Sequence, residues 1–172
     1  MRNEANLNSD NESVPLKNGE IAISPEELAK RMEQLKMEQN LAFGIIAGLV
    51  AALVSALLWA VITASTGYQI GYMALAVGFL VGYAVRIGGK GIDPVFGVIG
   101  AVLAFLGCLA GNFFSNIKFL ADTLSIGYFD VFSALPFDMM VDMMVHTFSV
   151  IDILFYGIAI YEGYKSSFRK LP

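Results

Sequence analysis

Residues 41–113 read LAFGIIAGLVAALVSALLWAVITASTGYQIGYMALAVGFLVGYAVRIGGKGIDPVFGVIGAVLAFLGCLAGNF. Three apolar runs, about 41–64, 68–87 and 94–113, each approach the roughly 20 residues needed to cross hydrocarbon. The first carries no charge. Ser65-Thr66-Gly67 reads as a tight turn, and Gly88, Gly89 and Gly91 with Lys90 as the next. Asp93 stands at the N-cap of the third run, with Pro94 at its first position. Connections this short make the three runs an up-down-up unit.

The basic residues extend this pattern to the whole chain. Arg2, Lys17, Lys30, Arg31 and Lys36 precede the first run, and none lies between the first and second. Arg86 and Lys90 fall between the second and third, Lys118 follows the third, and Lys165, Arg169 and Lys170 close the chain. A fourth span over about 149–168 then puts ten of the eleven Lys and Arg on one side. By the positive-inside rule that side is the cytoplasm, and both termini lie there. The fourth run is the weakest by hydropathy, since Asp152 interrupts it and Glu162 and Lys165 close it. Without it the charge asymmetry largely disappears.

Composition agrees. The 172 residues are 56% hydrophobic and 15% charged, with a mean hydropathy of +0.64. Soluble domains are nearer a quarter charged. With a net charge of −4 there is no basic footprint for nucleic acid. The lone cysteine, Cys108, falls within a span and says nothing about redox compartment. The first apolar run begins near Leu41 and is too long for a cleavable signal peptide, so it is expected to remain as an anchor.

Small residues recur four apart on each of the first three spans: Gly44 and Gly48; Ala74, Gly78 and Gly82; Gly97 and Ala101, Gly100 and Ala104, Gly107 and Gly111. Such faces let helices approach closely in lipid. Packing within one chain is the preferred reading, with a homo-oligomer as the alternative. Trp59, Tyr68, Tyr72, Phe113 and Phe114 gather near the outer interface, and Tyr83, Phe96, Tyr161 and Tyr164 near the inner one, as in an aromatic belt.

Outside the spans, residues 1–23 are a polar tail expected to be disordered. Asn11-Glu12-Ser13 matches a glycosylation sequon, but a cytoplasmic tail does not meet that machinery. Residues 24–40 read as an amphipathic cytoplasmic helix, or a stalk into the first span. Ser24, Pro25 and Glu27 have capping-box spacing, Ile23 and Leu28 form a hydrophobic staple, and Leu28, Met32 and Leu35 share a face. The segment 115–147 looks irregular, except for an apolar face through Phe137, Met140, Val141, Met144, Val145 and Phe148. That helix is expected to lie half immersed at the outer surface, because Asp138, Asp142 and His146 make a span costly.

Candidate chemistry is sparse. Gly89-Lys90 is not a P-loop, since Ala84 and Gly91 occupy the positions that need glycine and a hydroxyl residue. Asp138, Asp142 and His146 form a column four apart, which is better read as a solvated face than as a metal site. Asp152 is a functional candidate as an acid within a span, but Ser149-x-x-Asp152 is equally a capping box. Glu162 falls at the inner boundary within reach of Lys165. Gln69 and Asn112 fall at outer span ends, where polar groups cost little. No nucleophile has a base partner, so no catalytic residue, cofactor or metal is expected.

Two stretches, GYQIGYMALAVGFLVGYAVRIGGKGIDPVFGVIGAVLAFLGCLAGN at 67–112 and FSVIDILFYGIAIYEGYKSSFR at 148–169, resemble an uncharacterised family of small bacterial multi-pass membrane proteins. The resemblance covers about half the chain. It implies a bacterial inner-membrane location and a reusable membrane module, and it brings no activity or site residues. The expectation is therefore an all-α membrane protein with four transmembrane helices over 41–168, an up-down bundle flanked by a cytoplasmic and an outer interfacial helix. Its expected role is a non-enzymatic anchor or interaction module in the lipid bilayer, with residues 1–40 presented to a cytoplasmic protein partner. A small oligomeric channel or transporter using Asp152 and Glu162 is the alternative.

Overall fold

The computed structural model describes residues 24–67 and 71–169. The tail 1–23, with its sequon, Arg2, Lys17 and Ile23, lies outside these, as do Tyr68, Gln69 and Lys170. Seven helices are described: α1 (Pro25–Met37), α2 (Leu41–Thr66), α3 (Met73–Gly89), α4 (Pro94–Leu124), α5 (Tyr128–Ala134), α6 (Phe137–Thr147) and α7 (Val150–Ser166). The chain forms two units that divide after Glu38.

In the first unit, Ser24 starts α1 as its local sequence requires. Its Oγ accepts the Glu27 N–H at 3.2 Å, and Pro25 occupies the first turn. Lys30 pairs with Glu26 one turn back at 3.0 Å. No residue of α1 is buried: in the apolar stripe Leu28 is exposed, and Met32 and Leu35 are half-buried.

The second unit is an antiparallel arrangement of α2, α3, α4 and α7. α3 and α4 touch each other and both outer helices, while α2 and α7 have no described contact with each other. Close approaches set the directions. Gly44 meets Gly89 and Phe96, Gly48 meets Val85 and Leu103, and Gly107 meets Ala52, so α2 is antiparallel to α3 and parallel to α4. Gly78 faces Ala159, Gly82 faces Gly163, and Gly97 faces Tyr164 and Phe168, so α7 runs with α3 and against α4. The small-residue faces thus pack within the chain. Between them lie the buried Val77, Val81, Val85, Leu103 and Ala104. Large apolar side chains point outward instead: Leu49, Leu53 and Leu57 on α2, Leu75 and Phe79 on α3, Ile153 and Leu154 on α7. This is the reverse of a soluble bundle, and it is what helices in lipid require, since packing there rests on van der Waals contact rather than on burial from water.

By length and composition, α2 and α4 are apolar enough to cross a membrane. The pair α6 and α7 passes the same test together but is bent by 96°. α3 is apolar over 17 residues.

Several local expectations are corrected. Ser65 and Thr66 belong to α2, and the turn begins at Gly67, whose φ of +70° closes the helix. In the second turn the left-handed residue is Lys90, at φ 49°. Gly88, Gly89 and Gly91 are needed for space instead, since a Cβ there would meet Phe43, Ala47 or the ring of Phe96. The third apolar helix does not stop near Phe113 but continues to Leu124. Nothing between those residues breaks a helix, and Lys118 pairs with Asp122 one turn on. The segment 115–147 is thus helical almost throughout. The end of α4 packs Ile117 and Ala121 against Val131 of α5, with Tyr128, Leu135 and Met143 around them. Trp59 and Phe96 are not belt residues: both are buried inside the bundle, as is Cys108.

Candidate functional site

The end of the bundle where α2 begins is tied together by one side chain. Gln39 Oε1 accepts the N–H groups of Ile92 (2.8 Å) and Asp93 (3.1 Å), and its Nε2 donates to Asp93 Oδ2 at 2.8 Å. Asp93 holds the N-cap position of α4 as expected, but its carboxylate serves Gln39 rather than the helix. Beside it the Asn40 N–H donates to Gly89 O (2.9 Å), and the Arg169 N–H to Gly91 O (2.8 Å). The start of α2 and the segment after α7 are thereby both fixed to the loop between α3 and α4. Arg86, Lys90, Lys165 and Arg169 all stand at this end.

The opposite end holds a buried polar cluster. Asn112, only 3% exposed, donates from Nδ2 to the Tyr156 hydroxyl at 3.1 Å. Asn116 Nδ2 reaches Asn112 Oδ1 (3.0 Å) and Thr147 Oγ1 (2.9 Å). Asn112 is therefore not a cheap span end but the centre of a network joining α4, α6 and α7. The signal in the sequence was the pair Asn112 and Asn116, one turn apart on an apolar helix. Nearby on α2, Trp59 packs on Gly111, and neither Trp59 Nε1 nor Thr63 Oγ1 has a hydrogen-bond partner among the described residues.

The acids singled out from sequence fall in separate places. Asp152 starts α7, where its Oδ2 accepts the Ser149 N–H at 2.7 Å, one half of a capping box. Its charge faces the positive end of the helix dipole. Glu162 lies about 15 Å further along the same helix, with Lys165 Nζ at 3.9 Å. These two acids therefore do not share a site. On α6, His146 Nε2 is 3.4 Å from Asp142, and both side chains are more than 70% exposed. Asp138 precedes them by one turn. Among the described residues no three His, Cys, Asp or Glu side chains could hold one metal ion.

The arrangement thus offers a hydrogen-bonded loop at one end, a polar cluster at the other, and an apolar core between. No protein-family model, curated protein or solved structure matches this chain.

Proposed function

We propose that this is a four-span membrane anchor of the bacterial inner membrane, related to the uncharacterised multi-pass family it resembles, without enzymatic activity and with both termini in the cytoplasm. The observation that carries this reading is the inverted packing of α2. It has no charged residue, small residues fill its inner face apart from Trp59, and mainly leucine and valine cover its outer face. α3 and α7 have 17 residues each, about 25 Å, at the short end of the range for a span. α3 packs along α2, α4 and α7, and α7 along α3 and α4, with similar apolar exteriors, which supports all four crossing together. The 96° bend between α6 and α7 suits a helix that lies on the outer surface before the chain turns into the bilayer. Arg86, Lys90, Lys165 and Arg169 at the Gln39 end, against Lys118 alone at the other, support the orientation. The capped helix α1, none of whose residues is buried, supports a role for residues 1–40 in holding a cytoplasmic protein partner.

Cysteine accessibility labelling tests the topology. Cysteines placed at the exposed positions 90 and 165 should react only from the cytoplasm, and those at 125 and 142 only from outside. An opposite or mixed pattern refutes it. A pull-down in mild detergent tests the role: specific partners should be lost when residues 1–37 are deleted, which leaves the Gln39 and Asn40 ties in place, and their full retention counts against it.

The buried Asn112 cluster favours a second reading, a channel or transporter with Asp152 near its outer mouth. Flux in proteoliposomes would support it if Asp152→Asn reduced transport. Against it, the bundle continues inward from Asn112 through Cys108, Ala104 and Val81, all fully buried.

A further inference from the structure

We propose that the inner end of α3 and α7 binds the phosphate-bearing headgroup of an anionic phospholipid, with its acyl chain lying along the adjoining groove between α2 and α3. The proposal rests on the membrane reading above.

A cleft of about 430 Å³ opens between the last turns of α3 and α7. Its walls bring Arg86 from α3 together with Lys165 from the last turn of α7 and Arg169 just beyond it, facing the single carboxylate of Glu162. In a chain of net charge −4 this convergence does not follow from general basicity. Arg86 is held over the ring of Tyr83, 5.8 Å from its centroid. Lys165 Nζ lies 3.9 Å from Glu162 and 5.6 Å from the Tyr161 ring, and its side chain is 63% exposed. The Arg169 backbone is anchored beside the cleft by its hydrogen bond to Gly91. Two guanidinium forks and an ammonium suit the oxygens of a phosphodiester.

The apolar part of the lining separates a lipid from a soluble phosphate. Phe79 lies seven residues before Arg86, about 10 Å deeper along the axis, so the wall grades from charged to hydrocarbon. Tyr83 also borders a second groove of about 510 Å³, walled by Val50 and Val54 of α2 and Leu80 and Ile87 of α3. Headgroup and chain thus have adjacent, chemically matched surfaces at the level of one leaflet. Basic pockets between spans at the cytoplasmic side recognise lipid headgroups in this way. The competing explanation is that α3 and α7 run in the same direction, so their negative dipole ends coincide and attract cations for stability alone. Only a binding measurement separates the two.

The full chain, purified in mild detergent, is titrated with phosphatidylglycerol, with phosphatidylcholine of the same chains, and with inorganic phosphate, and bound lipid is read by native mass spectrometry. Phosphatidylglycerol should be retained about tenfold better than phosphatidylcholine. The double variant Arg86→Gln/Lys165→Gln should lose that preference, Glu162→Gln should strengthen it, and Lys118→Gln, at the other end, should leave it unchanged. Should the double variant fold poorly, Lys165→Gln alone, at an exposed position, should lower retention and Lys165→Arg restore it. Equal retention of the two lipids, an unaltered preference in the folded charge variants, or displacement by millimolar phosphate would overturn the proposal. Lipid retention in detergent does not depend on which way the chain crosses a membrane. Failure of the topology shows instead in the cysteine labelling.

Discussion

Gly163 and Gly157 lie on the same helix and look alike in sequence, yet a methyl group would meet different surroundings at each. At Gly163 a Cβ would come within 2.6 Å of Gly100 O and 2.7 Å of the Ala104 Cβ, whereas at Gly157 it would meet nothing within 4 Å. Gly163→Ala should therefore destabilise the bundle by about 1–3 kcal/mol, and Gly157→Ala should be neutral or stabilise it by up to ~1 kcal/mol. Reversible unfolding in mixed micelles would read both. Thr63 offers a test of opposite sign. Its hydroxyl is buried with no partner among the described residues, so Thr63→Val, close in shape, should stabilise by about 1 kcal/mol. The recurrence of small residues was legible in the sequence. Which of them touches a neighbour was not, because that depends on the rotation of each helix against partners far away in the chain.

Among the elements, the starts of α1, α4 and α7 were legible in the sequence, whereas the end of α4 was not. Ser24 and the Ser149–Asp152 box carry their meaning within a single turn, so they survive any tertiary arrangement. The end of α4 is different, since no strong breaker marks it and Ser125 takes a left-handed φ of 54° to close it. Gln39 shows the same limit. It precedes α2 without any motif, yet satisfies two N–H groups at the start of α4. Gln39→Ala should cost about 1–3 kcal/mol, the penalty for orphaning partly buried donors. Hydrogen exchange at Ile92 and Asp93 should accelerate while that of α6 stays unchanged. Exchange that remains slow at Ile92 would show that the loop is held by other contacts.

The whole second unit has two cores, the four-helix interior and the smaller cluster joining the end of α4 to α5. Burial in the smaller cluster raises the Tyr128 phenol above its ordinary value. The folded state then holds that proton more tightly than the unfolded state. The stability this lends is full below about pH 10 and falls as pH rises through the folded value. Amides of α5 should lose protection at alkaline pH before those of α3, and Tyr128→Phe should remove the difference. Loss of protection in α3 at the same pH would mean that the two cores open as one.

The sequence by itself determined the helical class, the apolar runs, the alternation of charge and the caps. Each is a local sum or a pattern within one turn, and no partner is needed to read it. The tertiary structure alone decided that Trp59 and Asn112 are buried, that Gln39 fastens the α3–α4 loop, and that Arg86, Lys165 and Arg169 share one cleft. The reason is physical. In a membrane-type bundle the core face and the outer face are both apolar, so hydropathy cannot tell them apart. Close packing of four helices, set by contacts between residues remote in the chain, selects which face turns inward and which side chains meet.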